Sequence, residues 1–230
     1  MPPAQESRRP GRPHEDPYLC SGRDSPVRCG ACGAHLTATV HQRGATYEDG
    51  GLRHHYRSER SVSGCGRTIA DVRVLDAEIT AMTLQRLTDP EQLATIRRVQ
   101  ERHRALREPY EEEILRRGKI RAYFDQRLAK EVITLREHAA SVADLDSAIV
   151  SAREALRRLD TIPVPDLDDK TCGLIVTGWS TASASERYRD LRRAWKGFQL
   201  FVRPGSSTDS AEQVRARISR PKPIPPAPHR

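Results

Sequence analysis

A long periodic segment, from about Leu75 to Asp160, constrains the fold of this chain more than any other feature. Within it, apolar side chains recur mostly every three or four residues, and charged residues fill the positions between them. That spacing predicts two long helices that pair through a narrow apolar seam, with Gly118 near the middle as the turn. The segment holds sixteen basic and sixteen acidic residues, which suits an antiparallel coiled-coil hairpin whose outer faces meet solvent.

Local signals subdivide this helical segment. A short helix is predicted over 76–87. Asp89 then offers an N-cap and Pro90 a first helical position, so we expect a second helix to begin there. Pro109 predicts a kink or a local break in that helix, because proline removes an intrahelical hydrogen bond.

Four stretches flank the helical segment. Residues 1–17 are rich in proline and arginine and are predicted to be disordered. Residues 18–74 are rich in glycine and turn signals, which is typical of a small β domain. Residues 161–219 form a short closing segment, and residues 220–230 are a proline-rich, extended tail that is predicted to be disordered.

The flanking stretches contain short patterns of regular structure. Alternating residues over 35–40 and 52–57 predict two strands joined by a turn. In the closing segment, we expect a helix over 183–194 and strands over 199–203 and 213–218. This segment is too small to fold alone, so we predict that it packs on the first β domain or at the base of the hairpin.

The distribution of charge points to a class of partner. The chain carries 39 Lys and Arg against 31 Asp and Glu, a net charge of +8. The excess lies in residues 18–74 and 161–230, on either side of the neutral hairpin. Basic flanks favour a polyanion such as nucleic acid, although a basic surface with no particular partner would look the same. No apolar run could span a membrane and no secretory signal is present, so we expect a cytoplasmic protein without a membrane partner.

The cysteines predict a metal site rather than disulfides. Cys29 and Cys32 are separated by two residues, Gly30 and Ala31, and a strand follows, whereas a redox pair would open a helix after a strand. Cys65, between Gly64 and Gly66, supplies a third thiol on a later turn. Thiolates at this spacing are typical of a zinc ribbon, so zinc is the expected cofactor.

The identity of a fourth ligand stays open at this level. His54 or His55 could complete the site, because imidazole is an ordinary zinc ligand. Cys20 is a second candidate, although it lies well before Cys29 in the sequence. In the third alternative the site is degenerate and binds metal weakly or not at all.

These motifs together resemble the C-terminal part of large serine recombinases, the integrases of phages and mobile elements. The likeness rests on Tyr-Leu-Cys-Ser-Gly at 18–22, Arg-Cys-Gly-Ala-Cys-Gly at 28–33, Tyr-Arg-Ser at 56–58 and Gly-Cys-Gly at 64–66. It continues through the long helical segment to Trp195 and the basic strand after it. The resemblance implies an α+β fold with a zinc-ribbon-like β domain, a long antiparallel coiled-coil hairpin and a short closing α/β segment.

The chain departs from the family pattern at three points. The third zinc ligand of the family, a cysteine, falls on Ser58, which puts metal occupancy in doubt. Cys20 occupies a position that is usually leucine, which favours a packing role. The catalytic domain that carries the nucleophilic serine is absent, so we expect no catalytic residue here.

The resemblance therefore implies a DNA-binding and subunit-interaction module that does not cleave DNA alone. Its expected partners are double-stranded DNA, through the ribbon, and other recombinase subunits, through the coiled coil. The alternative is a coiled-coil interaction or modulator protein with a degenerate, structural ribbon and no role on DNA. The expected phosphate contacts, which could equally be solvated surface arginines, are Arg43, Arg53, Arg57, Arg60 and Arg67.

Overall fold

The computed structural model describes residues 18–40, 45–60 and 64–224. The segment 1–17, Arg43 and the end of the tail from residue 225 lie outside the described residues. The described chain is α+β, with two small three-stranded sheets and six helices. It divides into two compact units: the described residues up to Leu93 together with Asp166–Pro223, and Ala94–Pro165.

Both sheets belong to the first unit. The strands are β1 (Val27–Cys29), β2 (Thr37–Val40), β3 (His54–Arg57), β4 (Ile69–Asp71), β5 (Phe198–Val202) and β6 (Lys222–Pro223). One sheet joins β1 to β5 in parallel, with Val27 opposite Leu200, and β5 to β6 in antiparallel fashion. The closing segment thus pairs directly with the first β segment. The second sheet is antiparallel, in the order β2, β3, β4, with Thr37 opposite Arg57.

The helices begin where the sequence supplies caps. Asp71 accepts hydrogen bonds from the first turn of the first helix, and Asp168 does the same for the fourth. Ser183 and Ser210 form capping boxes with the residues three positions on. The helices are α1 (Val72–Thr88), α2 (Pro90–Ala129), α3 (Leu135–Asp160), α4 (Asp169–Gly178), α5 (Ala184–Ala194) and α6 (Ala211–Arg217).

Helix α1 lies at the centre of the first unit. Its apolar face, including Leu75 and Ile79, is fully buried. The Thr83 hydroxyl accepts a hydrogen bond from the indole N–H of Trp195 at 2.9 Å and donates to the Ile79 carbonyl at 2.6 Å. A second link joins Arg215 of α6 to the buried Glu78 at 2.6 Å. These bonds attach α1 to the closing segment across more than a hundred residues of chain.

A buried polar group joins α1 to the second sheet. The Tyr56 hydroxyl donates to Asp76 Oδ1 at 2.7 Å and accepts from the Cys20 backbone N–H at 3.1 Å. Cys20 is fully buried, and burial together with the nearby Asp76 raises the pKa of its thiol. Burial also raises the pKa of Asp76 to about 6, against the opposing hydrogen bond from Tyr56. Cys20 therefore has the packing role that its position suggested.

The second unit contains two antiparallel helical stretches, the part of α2 from Ala94 onward and α3. They are joined by the turn 130–134, in which Glu131 has a φ of +56°. Thr134 then caps α3 in a capping box with Glu137. As residue numbers rise along α2, those of its partners fall along α3. The cross-links include His103 to the Leu159 carbonyl (3.1 Å), Arg121 to Asp146 (2.7 Å) and Asp125 to His138 (2.7 Å).

The predicted turn at Gly118 was wrong, and Pro109 does not break the helix. Gly118 and Pro109 both lie inside α2, which runs unbroken from Pro90 to Ala129. A glycine destabilises a helix by about 1 kcal/mol relative to alanine. A helix of 40 residues can contain one such residue without breaking. The capping box at Thr134 is the stronger signal, because it satisfies the first amides of α3. The predicted start of α2 is confirmed, with Asp89 Oδ1 accepting from the Glu91 amide at 2.8 Å.

The closing segment matched the expectations only in part. The helix over 183–194 and the strand over 199–203 are confirmed by α5 and β5. The stretch 213–218, predicted as a strand, is mostly helix α6, because the capping box of Ser210 starts a helical turn. Helix α4 was not predicted at all. Among the described residues, no helix is both long and apolar enough to cross a membrane.

Candidate metal centre

The first part of the site is the tight turn that follows β1. The Gly33 amide donates to the Cys29 carbonyl at 2.8 Å, and the Ala31 amide approaches Cys29 Sγ at 3.4 Å. Gly33 has a φ of +74°, a conformation that favours glycine. The chain therefore turns back on itself directly after Cys29, so that backbone amides point toward sulfur.

Gly30 is required by a close approach of two backbones. Its amide donates to the Val202 carbonyl of β5 at 2.7 Å. A Cβ atom at this position would lie 3.0 Å from backbone atoms of both Val202 and Arg203. The closing segment therefore holds the first turn in place through β5.

The second turn carries Cys65 and repeats the same local geometry. The Arg67 amide lies 3.5 Å from Cys65 Sγ, and Gly66 has a φ of +71°. The Gly66 amide donates to the Ser58 carbonyl at 2.7 Å. At Gly64, a Cβ atom would lie only 2.5 Å from the Glu59 carbonyl oxygen. Glycine on both sides of Cys65 thus allows the turn to fold against the end of β3.

The two turns bring three thiols together. The Sγ atoms of Cys29, Cys32 and Cys65 all lie within 4.8 Å of one another, and those of Cys29 and Cys65 are 3.6 Å apart. Three thiols this close could bind a metal ion. The 3.6 Å between Cys29 Sγ and Cys65 Sγ is close to the sulfur–sulfur distance in a tetrahedral zinc site, which is roughly 3.8 Å when the Zn–S bonds are about 2.3 Å.

Two hydroxyl groups lie against the thiols. Thr68 Oγ1 is 3.1 Å from Cys29 Sγ, and Ser58 Oγ is 3.6 Å from Cys65 Sγ. Both residues are fully buried. The Thr68 hydroxyl also lies 3.2 Å from the Val202 carbonyl, so it links the cluster to β5. Ser58 and Thr68 are therefore both adjacent to the thiol cluster.

The surroundings of the thiols favour the thiolate form at two of the three positions. The Arg67 amide and the Ser58 hydroxyl lower the pKa of Cys65 to about 6. Burial opposes ionisation of Cys29, but the hydroxyls of Thr68 and Ser58 and the amides of its own turn outweigh it and lower its pKa. Desolvation and the neighbouring thiols raise the pKa of Cys32. Because the thiolate is the metal-binding form, this electrostatic environment suits a cation.

The other candidate ligands lie outside the cluster. His55 Nε2 is 3.1 Å from Thr39 Oγ1, and the His54 ring packs 5.5 Å from the ring of Tyr18. Cys20 is buried beside Tyr56 and Asp76 instead. The structure thus brings Cys29, Cys32 and Cys65 together. Among the described residues, none of the candidate fourth ligands (His54, His55 and Cys20) belongs to this cluster.

The predicted phosphate-binding arginines separate into two places. Arg57, Arg60 and Arg67 surround the second turn: Arg60 Nε donates to the Cys65 carbonyl at 3.4 Å, and a Cβ on Gly66 would be 3.6 Å from Arg57 Nη2. Arg60 and Arg67 are exposed. Arg53 instead pairs with the buried Asp71 at 3.2 Å, and Arg43 lies outside the described residues.

Thr68 is the site residue that sequence reasoning missed. Its position three residues after Cys65 carries no recognised ligand signal. Its role depends on a contact with Cys29, which is far away in the sequence. Only the pairing of β1 with β5, at the opposite end of the chain, places Val202 beside both residues.

Comparison with known proteins adds no relative, since no family model, curated protein or solved structure matches the chain. The fold and the site therefore define the class directly. The chain is an α+β protein with a three-thiol cluster that could bind a metal, built on two glycine-flanked turns.

Proposed function

We propose that the chain is a DNA-binding and subunit-interaction module of the kind found in the C-terminal part of serine recombinases. The observation that carries this proposal is the basic rim of the thiol cluster. Arg57, Arg60 and Arg67 lie around the same turn that presents Cys65. A metal-stiffened turn rimmed with guanidinium groups is a good phosphate-binding element, because little conformational entropy is lost on binding.

In this proposal the metal is zinc, and the β domain is a zinc ribbon. Cys29, Cys32 and Cys65 would hold the ion, and the Ser58 hydroxyl, 3.6 Å from Cys65 Sγ, would supply the fourth donor. The ion would have a structural role: it would join the two turns, which come from separate β segments. Such sites contribute directly to folding stability, because the unfolded chain offers no preformed cluster.

The helical unit would serve subunit interaction. Its two helices carry mixed charge, and ion pairs such as Arg121 to Asp146 hold them side by side. We propose that they form an antiparallel coiled-coil hairpin. An arm of this kind presents a long charged surface to another recombinase subunit without a large core of its own.

DNA binding can be tested by fluorescence anisotropy with a labelled duplex over a range of salt concentrations. If the arginines contact phosphates, the logarithm of affinity should fall linearly with the logarithm of salt, by about 0.9 per contact. Replacing Arg60 and Arg67 together with glutamine should reduce that slope by up to about 2. The matched control replaces Arg102 and Arg104, two exposed arginines of α2, and should leave the slope unchanged.

The result also separates the two candidate functions. If the anisotropy shows no salt-dependent binding of duplex DNA, DNA binding is refuted. The alternative then stands, a coiled-coil interaction protein whose ribbon is structural. The specific observation that favours this alternative is Ser58 in place of the family's cysteine. Equal losses in both double variants would mean that net charge alone, and not the basic rim, drives binding.

A further inference from the structure

Arg86, near the end of α1, is a buried cation in an aromatic setting. Only 6% of its surface is exposed. Its guanidinium carbon lies 4.8 Å from the centroid of the Trp195 ring and 4.7 Å from that of Phe198. Its Nε donates to the Ala194 carbonyl at 2.9 Å, and its Nη1 donates to Gln92 Oε1 at 3.1 Å. The side chain is therefore held rigidly by neutral groups.

The third guanidinium nitrogen of Arg86, Nη2, makes no such hydrogen bond within the described part of the chain. Nη2 is buried and has no hydrogen-bond partner among the described residues. Burial lowers the pKa of Arg86, because the buried guanidinium loses hydration. Charged side chains are almost never fully buried unless they are paired. A rigid, buried guanidinium with free N–H groups therefore lacks an anionic partner.

Arg86 is among the residues that line a cavity of about 180 Å³. Met82 and Trp195 form apolar walls, and Gln85 and Gln92 add side-chain amides. Because the Gln92 carbonyl oxygen already accepts from Arg86, its amide nitrogen is the group left to donate. The cavity is smaller than the sites of drug-sized ligands, which measure about 300–1,000 Å³, so it suits a single small anion.

Asp89 limits the charge of such an anion. Asp89 also lines the cavity, and its Oδ1 accepts hydrogen bonds from the backbone amides of Glu91 and Gln92 at 2.8 and 3.4 Å. This carboxylate caps α2 and so is held in place. A negative group at the wall disfavours a dianion and favours an anion with a single charge.

We propose that this cavity is an oxyanion site in which Arg86 Nη2, assisted by the side-chain amide of Gln92, binds one singly charged phosphate-type group. The group could come from free inorganic phosphate or from a phosphodiester of nucleic acid. All the residues involved belong to the first unit, and none is part of the thiol cluster or its basic rim. The site therefore stands independently of the function proposed above.

The direct test is calorimetric titration of the full chain with inorganic phosphate in chloride buffer at constant ionic strength and mildly acidic pH, where the monoanion dominates. We expect saturable binding at one site. Arg86→Gln should weaken it at least tenfold, because it removes the charge and the free N–H groups. Arg73→Gln is the matched control, since Arg73 is exposed and pairs with Asp49 at 2.8 Å; its affinity should equal that of the natural chain.

A second variant keeps the test decisive if Arg86→Gln fails to fold. Asp89→Asn retains a good N-cap and removes the negative charge from the cavity wall. It should therefore bind phosphate more tightly, by about threefold or more. No saturable binding by the natural chain, unchanged affinity in Asp89→Asn, or wild-type affinity in a folded Arg86→Gln would each overturn the proposal.

Competition with a short DNA duplex then identifies the source of the phosphate group. If the duplex displaces phosphate from the natural chain and Arg86→Gln weakens both ligands, the site accepts a backbone phosphodiester. If phosphate binds and the duplex does not compete, the ligand is the free ion. Both results support the oxyanion site, and they assign it to different ligands.

Discussion

Replacing Asp76 with asparagine should remove a pH dependence of stability that the environment of this carboxyl creates. Burial raises the pKa of Asp76 from 3.8 to about 6, although the Tyr56 hydroxyl donates to it at 2.7 Å. The folded chain thus retains a proton that the unfolded chain has already lost. Raising the pH from about 4 to about 6 therefore favours unfolding through this group, and above pH 6 the penalty is constant.

The size of the effect follows from the shift in pKa. A difference of about 2 pKa units corresponds to about 3 kcal/mol in the free energy of unfolding. In Asp76→Asn this component is absent. The stability of the variant relative to the natural chain should therefore improve by about 2.5 kcal/mol as the pH rises from 4 to 7, because part of the full difference is already present at pH 4.

Urea denaturation followed by tryptophan fluorescence measures this difference, because Trp179 and Trp195 lie in the same unit as Asp76. Both proteins carry the same thiol cluster, so any loss of metal at low pH affects both and cancels in the comparison. If the two free energies of unfolding run parallel between pH 4 and 7, the carboxyl is not destabilised by burial and the reasoning fails.

Three further substitutions test local parts of the structure. Ser58→Cys should raise zinc affinity at least tenfold in a competitive chelator titration, because a thiolate replaces a hydroxyl beside the cluster; unchanged affinity would remove Ser58 from the site. Gly30→Ala should lower the free energy of unfolding by about 1–3 kcal/mol, measured by urea denaturation, since its Cβ would meet the Val202 backbone at 3.0 Å. Gly118→Ala should raise the melting temperature, because a Cβ there meets nothing within 4 Å and alanine is favoured in a helix by up to about 1 kcal/mol; a lower melting temperature would mean that the chain turns at this glycine.

Local signals predicted much of the fold. Asp89 followed by Pro90 located the start of α2, and Ser183 followed by Glu186 located the start of α5. In each case the cap acts within one turn of helix, so neighbouring residues suffice to identify it. The strands β2 and β3 were predicted for the same reason, from alternation and the turn between them.

The errors arose where tertiary contacts or competing signals decide. Glycine favours a turn between the long helices, but Gly118 is accommodated inside α2 and the capping box at Thr134 sets the start of α3. Residues 213–218 have strand-like side chains, yet Ser210 starts a helix there. Capping groups thus outweighed the conformational preference of single residues in both segments.

The thiol trio was predictable and its surroundings were not. Cysteine spacing and flanking glycines identified Cys29, Cys32 and Cys65, because these signals lie within a few residues of each ligand. The buried hydroxyl of Thr68 and the pairing of β1 with β5 depend on contacts between distant parts of the chain. A single sequence carries no direct signal for such contacts.

The measurement that tests the central claim most directly is the zinc content of the purified chain. Elemental analysis after reconstitution and removal of excess metal should give one equivalent of zinc per chain. Cys29→Ser and Cys65→Ser should lose it, while Cys172→Ser, which alters a buried thiol of α4, should retain it. A folded natural chain without zinc, or equal zinc in all the cysteine variants, would contradict the assignment of the three thiols as a metal centre.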